Sequence, residues 1–318
     1  MKNFLLRFSD KIIEICFFLL LFLVPLTLTP FNFELFEYNK MMATYGFTVI
    51  IFGAWIIKMI IKKKIIFRRT PLDLPLLLFL LSQVISTYLS IDRHVSIWGY
   101  YSRFNGGLVS TFSYLTLYYA FVSNFPMKKI IKLLQVGLIS GLLVSSYGIL
   151  EHFGIDKNLW VQDVQNRVFS TLGQPNWLAA YLAVLIPISI GFSLNSNFQA
   201  PNLKQNQNSN VLNNNPLNFS KIDNWNLFGS WNLGFVILSS LFYTTLLFTK
   251  SRSGFLGFGI SLVILFIVLI FNAFQNQKNL FSRSHIHAIA WICVFFALIT
   301  FFVGTPFEQI NRFTWPEF

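Results

Sequence analysis

Residues 41–89 read MMATYGFTVIIFGAWIIKMII, KKKIIFRRTP, LDLPLLLFLLSQVISTYL, and this stretch decides the fold. Two apolar runs, 41–61 and 72–89, flank a linker carrying Lys62, Lys63, Lys64, Arg68 and Arg69. A helix needs about 20 apolar residues to cross the hydrocarbon core, so each run is read as a membrane span. The basic cluster between them is read as a topology signal rather than as a lipid-headgroup or nucleic-acid site, since lysine and arginine accumulate on the cytoplasmic side.

Working outward, the segments 11–28, 107–124, 129–150, 177–195, 232–249, 253–272 and 286–304 have the same character. The expectation is an all-α polytopic helical bundle of about nine transmembrane helices, with 1–318 as a single transmembrane domain. Composition agrees: 54% of the residues are hydrophobic and 11% charged, against about 25% charged in soluble domains. Thirty-eight Phe and eight Trp suit lipid contact and interfacial anchoring. The basic start, Met1 to Lys11, precedes an apolar run without a small-residue cleavage site, which reads as an uncleaved first helix. Glu14, Lys58, Asp73 and Lys132 fall near span ends, where side chains can snorkel toward water.

Alternate assignment of the loops separates the charge. One side holds 16 Lys/Arg and 4 Asp/Glu and the other 8 of each, so the net charge of +12 lies wholly on the first side. The positive-inside rule makes that side, and the N-terminus, cytoplasmic. Residues 196–230 are then a cytoplasmic loop; with thirteen Asn between residues 195 and 232, ends included, it cannot bury a core and is expected to be flexible. Gly137, Gly141 and Ser145 form a small-xxx-small stripe read as helix packing. Cys16 and Cys293 sit in separate apolar spans and are read as packed thiols, with no disulfide framework and no zinc site.

Three outward-facing segments carry the chemistry. The first runs from Asp92 to Gly107 and contains His94, Trp98, Tyr100, Tyr101 and Arg103; its aromatics and arginines can grip a sugar and an anion, or simply form an interfacial belt. The second, 151–176, contains Arg167 and ends in Gly173-Gln174-Pro175-Asn176. Here Gly173 and Pro175 force a turn, and Asn176 is placed to cap the next helix. The third is the turn Ser251-Arg252-Ser253-Gly254. Arg167 and Arg252 lie on the side where cations are depleted, and a cation kept there implies an anion to hold. Walker loops, dinucleotide fingerprints, metal-ligand spacings and Ser-His-Asp arrangements are absent from the sequence. His285 and His287 are two apart, wrong for one helix face, and fall on the cytoplasmic side. His94 and His152 fall on the outer side as candidates for a base, against the plainer reading of interfacial histidines.

The runs Trp98-Gly99-Tyr100-Tyr101-Ser102-Arg103-Phe104-Asn105-Gly106-Gly107, Arg167 through Ser170-Thr171-Leu172-Gly173-Gln174-Pro175-Asn176-Trp177-Leu178-Ala179-Ala180-Tyr181-Leu182, and Thr249-Lys250-Ser251-Arg252-Ser253-Gly254 resemble the O-antigen ligase and polymerase family, in that family's order. The resemblance places a ligase-like core at about 90–318. It implies a multi-pass enzyme of the bacterial plasma membrane with its active face extracytoplasmic. Such an enzyme moves a glycan from a polyprenyl-pyrophosphate carrier to a sugar or lipid acceptor hydroxyl, without metal or other cofactor. By the same resemblance Arg167 and Arg252 clamp the pyrophosphate, with Arg103, Asn176 and Ser251 as further substrate-binding residues. The family's general base is a histidine on a large outer loop expected beyond Phe318, with Glu308, Arg312 and Trp315 among that loop's first residues. Two alternatives remain open at the level of sequence: a transporter or lipid flippase, and a non-catalytic membrane scaffold.

Overall fold

The computed structural model describes residues 2–29, 31, 34–194, 230–276, 283–311 and 313–315. The Asn-rich segment 196–229 and Arg312 lie outside them. Among the described residues the regular structure is entirely helical. In chain order the helices are α1 (Lys2–Leu26), α2 (Glu37–Lys62), α3 (Asp73–Tyr88), α4 (Arg93–Trp98), α5 (Leu108–Asn124), α6 (Ile130–His152), α7 (Pro175–Ser193), α8 (Ser230–Phe248), α9 (Arg252–Asn276), α10 (Arg283–Val303) and α11 (Glu308–Asn311). Each apolar segment of the sequence coincides with one of them, and α4 and α11 are short additions. Four helical segments are long and apolar enough to cross a membrane: Glu37–Lys62, Met127–His152, Pro175–Ser193 and Arg252–Phe271. Asp73–Tyr88, Leu233–Phe248 and His287–Val303 are shorter apolar helices.

The chain divides into two compact units, Met1–Tyr147 with Ser170–Gly173, and Gly148–Phe169 with Gln174–Phe318. In the first, α1 packs along α2, and α5 packs on α2. Ile13, Cys16 and Phe17 of α1 meet Ile51, Ala54 and Trp55 of α2 and Ala120, Phe125 and Leu133 beyond them. Phe17 stands edge-on to Phe121 and Phe125, the geometry aromatic quadrupoles favour. Three of the four charges expected to snorkel have partners within the protein, and Lys132 is exposed. Lys58 meets Asp10 at 2.5 Å and Asn124 at 3.0 Å, Glu14 accepts from Lys129, and Asp73 accepts from the Thr70 and Tyr119 hydroxyls. Lys58 is buried among the neighbouring helices and so needs partners within the protein. Each ion pair also joins residues that the charge pattern assigns to one side.

In the second unit α7 is the hub, packed against α8 and α9, with α10 on α8. Leu178, Leu182 and Ile186 are fully buried, as is Phe242 opposite. Two devices let α7 and α9 approach. A side chain at Gly254 would fall on the Ala179 methyl, so only glycine fits there. Further along, Pro187 has no N–H to give the Ala183 carbonyl four residues back, and the Ser261 hydroxyl of α9 lies 3.1 Å from that carbonyl, its one proton shared with the Phe258 carbonyl of its own helix at 2.7 Å. Elsewhere α9 shows Leu256, Ile260, Val263, Ile267 and Phe271 outward, and α3 has no buried residue at all. Such faces suit lipid.

Candidate functional site

The second unit gathers the motif residues. Ser251 precedes α9 and its Oγ accepts from the Gly254 N–H at 3.1 Å, which caps the helix. The same Oγ donates to Oδ1 of Asn176 at 2.9 Å. Arg167 Nη2 donates to that Oδ1 as well, at 3.2 Å, while Arg167 Nε donates to the Thr249 carbonyl at 3.1 Å. Guanidinium can only donate, so the amide oxygen of Asn176 must face Arg167 and its Nδ2 turns away. The backbone joins the same loops, for Val168 N donates to the Phe248 carbonyl at 3.2 Å.

Asn176 is therefore not a cap. Helix α7 begins one residue earlier, with Pro175 in the first turn and Gln174 at the N-cap position, making no side-chain cap bond. Proline suits the first helical position because its missing N–H would be unsatisfied there anyway. Asn176, one residue further in, is exposed and bridges two loops.

Arg167 and Arg252 line one open hollow of about 670 Å³, together with Asn176, Lys250, Ser253, Thr305, Pro306 and Asn311. Three cations and no carboxylate stand among its described lining residues, and the volume is that of a small-ligand site, about 300–1,000 Å³. Arg252 Nε donates to the Pro306 carbonyl at 3.2 Å, and Lys250 Nζ to Asn166 Oδ1 at 2.5 Å. Lys250 is left-handed, with φ 49°, the conformation that lets so tight a turn join α8 to α9. A second hollow of about 390 Å³ shares Arg167 and Asn176 and adds Gln162, Asp163, Asn166, Gln174 and Pro175.

His152, at the end of α6, is held by stacking on Phe248 (ring centroids 3.8 Å apart) and by a 2.7 Å bond between Nδ1 and the Gln165 carbonyl. A carbonyl only accepts, so Nδ1 carries the proton and a neutral ring has its basic nitrogen at Nε2. It lines neither hollow. In the first unit, Arg103 pairs with Glu37 at 3.2 Å and lies over the Tyr100 ring. Hydrogen bonding with Tyr101 pushes the Tyr100 phenol above its ordinary range, so it stays neutral near pH 7. His94 is exposed on α4, whose start is capped by the Asp92 carboxylate bonded to Val95 N at 3.1 Å.

The structure thus brings Arg167, Asn176, Ser251 and Arg252 together within one unit. Sequence reasoning passed over Lys250, Thr305, Pro306 and Asn311, which complete the hollow. Lys250 lies inside the Thr249–Gly254 motif as a third cation beside Arg167 and Arg252, whereas nothing in the sequence ties 305–311 to it. Among the described residues no group of three or more His, Cys, Asp or Glu is gathered as metal ligands. Comparison with protein-family models, with curated proteins and with solved structures returns no match to this chain.

Proposed function

We propose that the chain serves outer-leaflet glycan transfer from a polyprenyl-pyrophosphate carrier to an acceptor hydroxyl, in the manner of the O-antigen ligases and polymerases its motifs resemble. The observation that carries the reading is the hollow whose described lining residues include the three cations Arg167, Lys250 and Arg252. A pyrophosphate is the leaving group such a site suits. The acceptor oxygen bonds to the anomeric carbon as the bond from that carbon to the pyrophosphate oxygen breaks. The electron pair leaves on the pyrophosphate and the hydroxyl proton passes to a base. Planar guanidinium forks, charged at every physiological pH, stabilise the charge that develops on the leaving oxygen.

In this reading the apolar segments form nine spans in the bacterial plasma membrane. The N-terminus and the Lys62–Arg69 linker are cytoplasmic, and the hollow faces outward. The cations stand in a loop, in the α8–α9 turn and at the first residue of α9. That supports chemistry at a membrane face more than passage through the midplane, where transporters place their sites.

The test is transfer of a labelled glycan from polyprenyl pyrophosphate by the intact protein in proteoliposomes. Arg167→Ala and Arg252→Ala are each expected to lower the rate about 10²–10³-fold, the scale of one lost charge-stabilising donor. Lysine at either position is expected to recover little, because it cannot present a fork. Wild-type rates in both alanine variants overturn the reading.

A further inference from the structure

Resting on that reading of the hollow, we propose that Asn311 is a positioning residue for Arg252, acting through the Pro306 carbonyl. After α10 the chain turns at Gly304, whose φ of +82° is open to glycine, and closes on itself over 305–311. Asn311 makes the closure. Its Oδ1 accepts from the Thr305 N–H at 2.6 Å and from the Thr305 hydroxyl at 2.9 Å, and its Nδ2 donates back to the Thr305 carbonyl at 2.9 Å. Thr305 Oγ1 also accepts from Phe307 N at 3.2 Å, and Phe307 stands edge-on to Phe255 of α9, centroids 5.9 Å apart. Pro306 lies between these two fastened residues, and its carbonyl shares a planar peptide unit with the Phe307 N–H that Thr305 Oγ1 holds. Its carbonyl is therefore a rigid acceptor, and Arg252 Nε donates to it.

Arg167 is held in the same manner, its Nε on the Thr249 carbonyl. Both arginines of the hollow are thus anchored at Nε by backbone. A long side chain loses rotamer freedom when it grips a ligand, and anchoring it beforehand removes much of that cost. The clasp fixes a carbonyl, the carbonyl fixes Nε, and the fork is set before the anion arrives.

The experiment measures binding of inorganic pyrophosphate to the full chain in lipid nanodiscs, with thermal midpoints as the folding control. Arg252→Ala is expected to weaken binding about 10–100-fold, the value of a charge-assisted hydrogen bond. Asn311→Ala is expected to weaken it about 10-fold, the lower end for groups that orient a ligating residue. The double variant should bind no more weakly than Arg252→Ala alone, since a residue acting through Arg252 has nothing left to orient. Thr305→Val should reproduce Asn311→Ala, and Thr305→Ser should restore binding; this pair decides the matter if Asn311→Ala does not fold. Additive losses in the double variant overturn the inference. So does wild-type affinity in Asn311→Ala and Thr305→Val beside a loss in Arg252→Ala, and that result leaves the pyrophosphate reading standing. Absence of pyrophosphate binding to the wild-type protein overturns both.

Discussion

Lys250 holds two roles in conflict at a single residue. Its backbone is left-handed, which costs a residue with a side chain about 1–2 kcal/mol, and its ammonium is one of three cations in the hollow. Lys250→Gly is therefore expected to keep or raise the thermal midpoint while weakening pyrophosphate binding. Lys250→Val, which cannot adopt that backbone without strain, should lower both. Parallel losses of midpoint and affinity in the glycine variant would refute the division of roles. Single residues also mark where the sequence was legible. Arg167 and Arg252 stood out because the charge pattern of the sequence assigns them to the side with fewer cations. Asn176 stood out too, but as a cap, because its bond to Ser251 reaches a loop 75 residues away in the chain. A helix boundary shifted by one position turned a cap into a bridge.

Helices were the legible elements, because an apolar run of this length has few alternatives. Their mutual contacts were not, since what fits two helices together is local shape and the fate of individual carbonyls. The α7–α9 contact gives a test. Ser261 shares its hydroxyl proton between the Phe258 carbonyl and the Ala183 carbonyl that Pro187 leaves without a helical partner. Ser261→Ala should cost about 0.6–1.7 kcal/mol, the measured scale for hydrogen bonds between membrane helices. Placed in a Pro187→Ala background, which restores the helical N–H, the same substitution should cost almost nothing. Equal costs in both backgrounds would show that the serine serves some other purpose. Lys58 and Glu14 carry a similar lesson. Sequence position alone suggested a route to water, and packing supplied Asp10 and Lys129.

At the scale of the whole molecule the proposal is one of sidedness. Single cysteines placed by Leu159→Cys and Asn213→Cys, in a background without Cys16 and Cys293, should respond oppositely to a membrane-impermeant thiol reagent. Cys introduced at 159 should react in spheroplasts, and at 213 only after the membrane is opened. The reverse pattern would invert the topology and put the hollow on the cytoplasmic face. The charge asymmetry makes this prediction legible from sequence. The division into two compact units was not, because it depends on which apolar faces meet, and one apolar run looks much like another.

Ser251 has a consequence for how variation at this site will be read. One oxygen both starts α9, through Gly254 N, and holds Asn176, through its own proton. Helix capping and the proposed site therefore share an atom. In a deep mutational scan, substitutions at Ser251 should deplete cellular abundance together with activity, whereas those at exposed Arg252 should leave abundance near normal. A screen that scores survival alone would merge the two, and would rank the helix cap among the catalytic machinery.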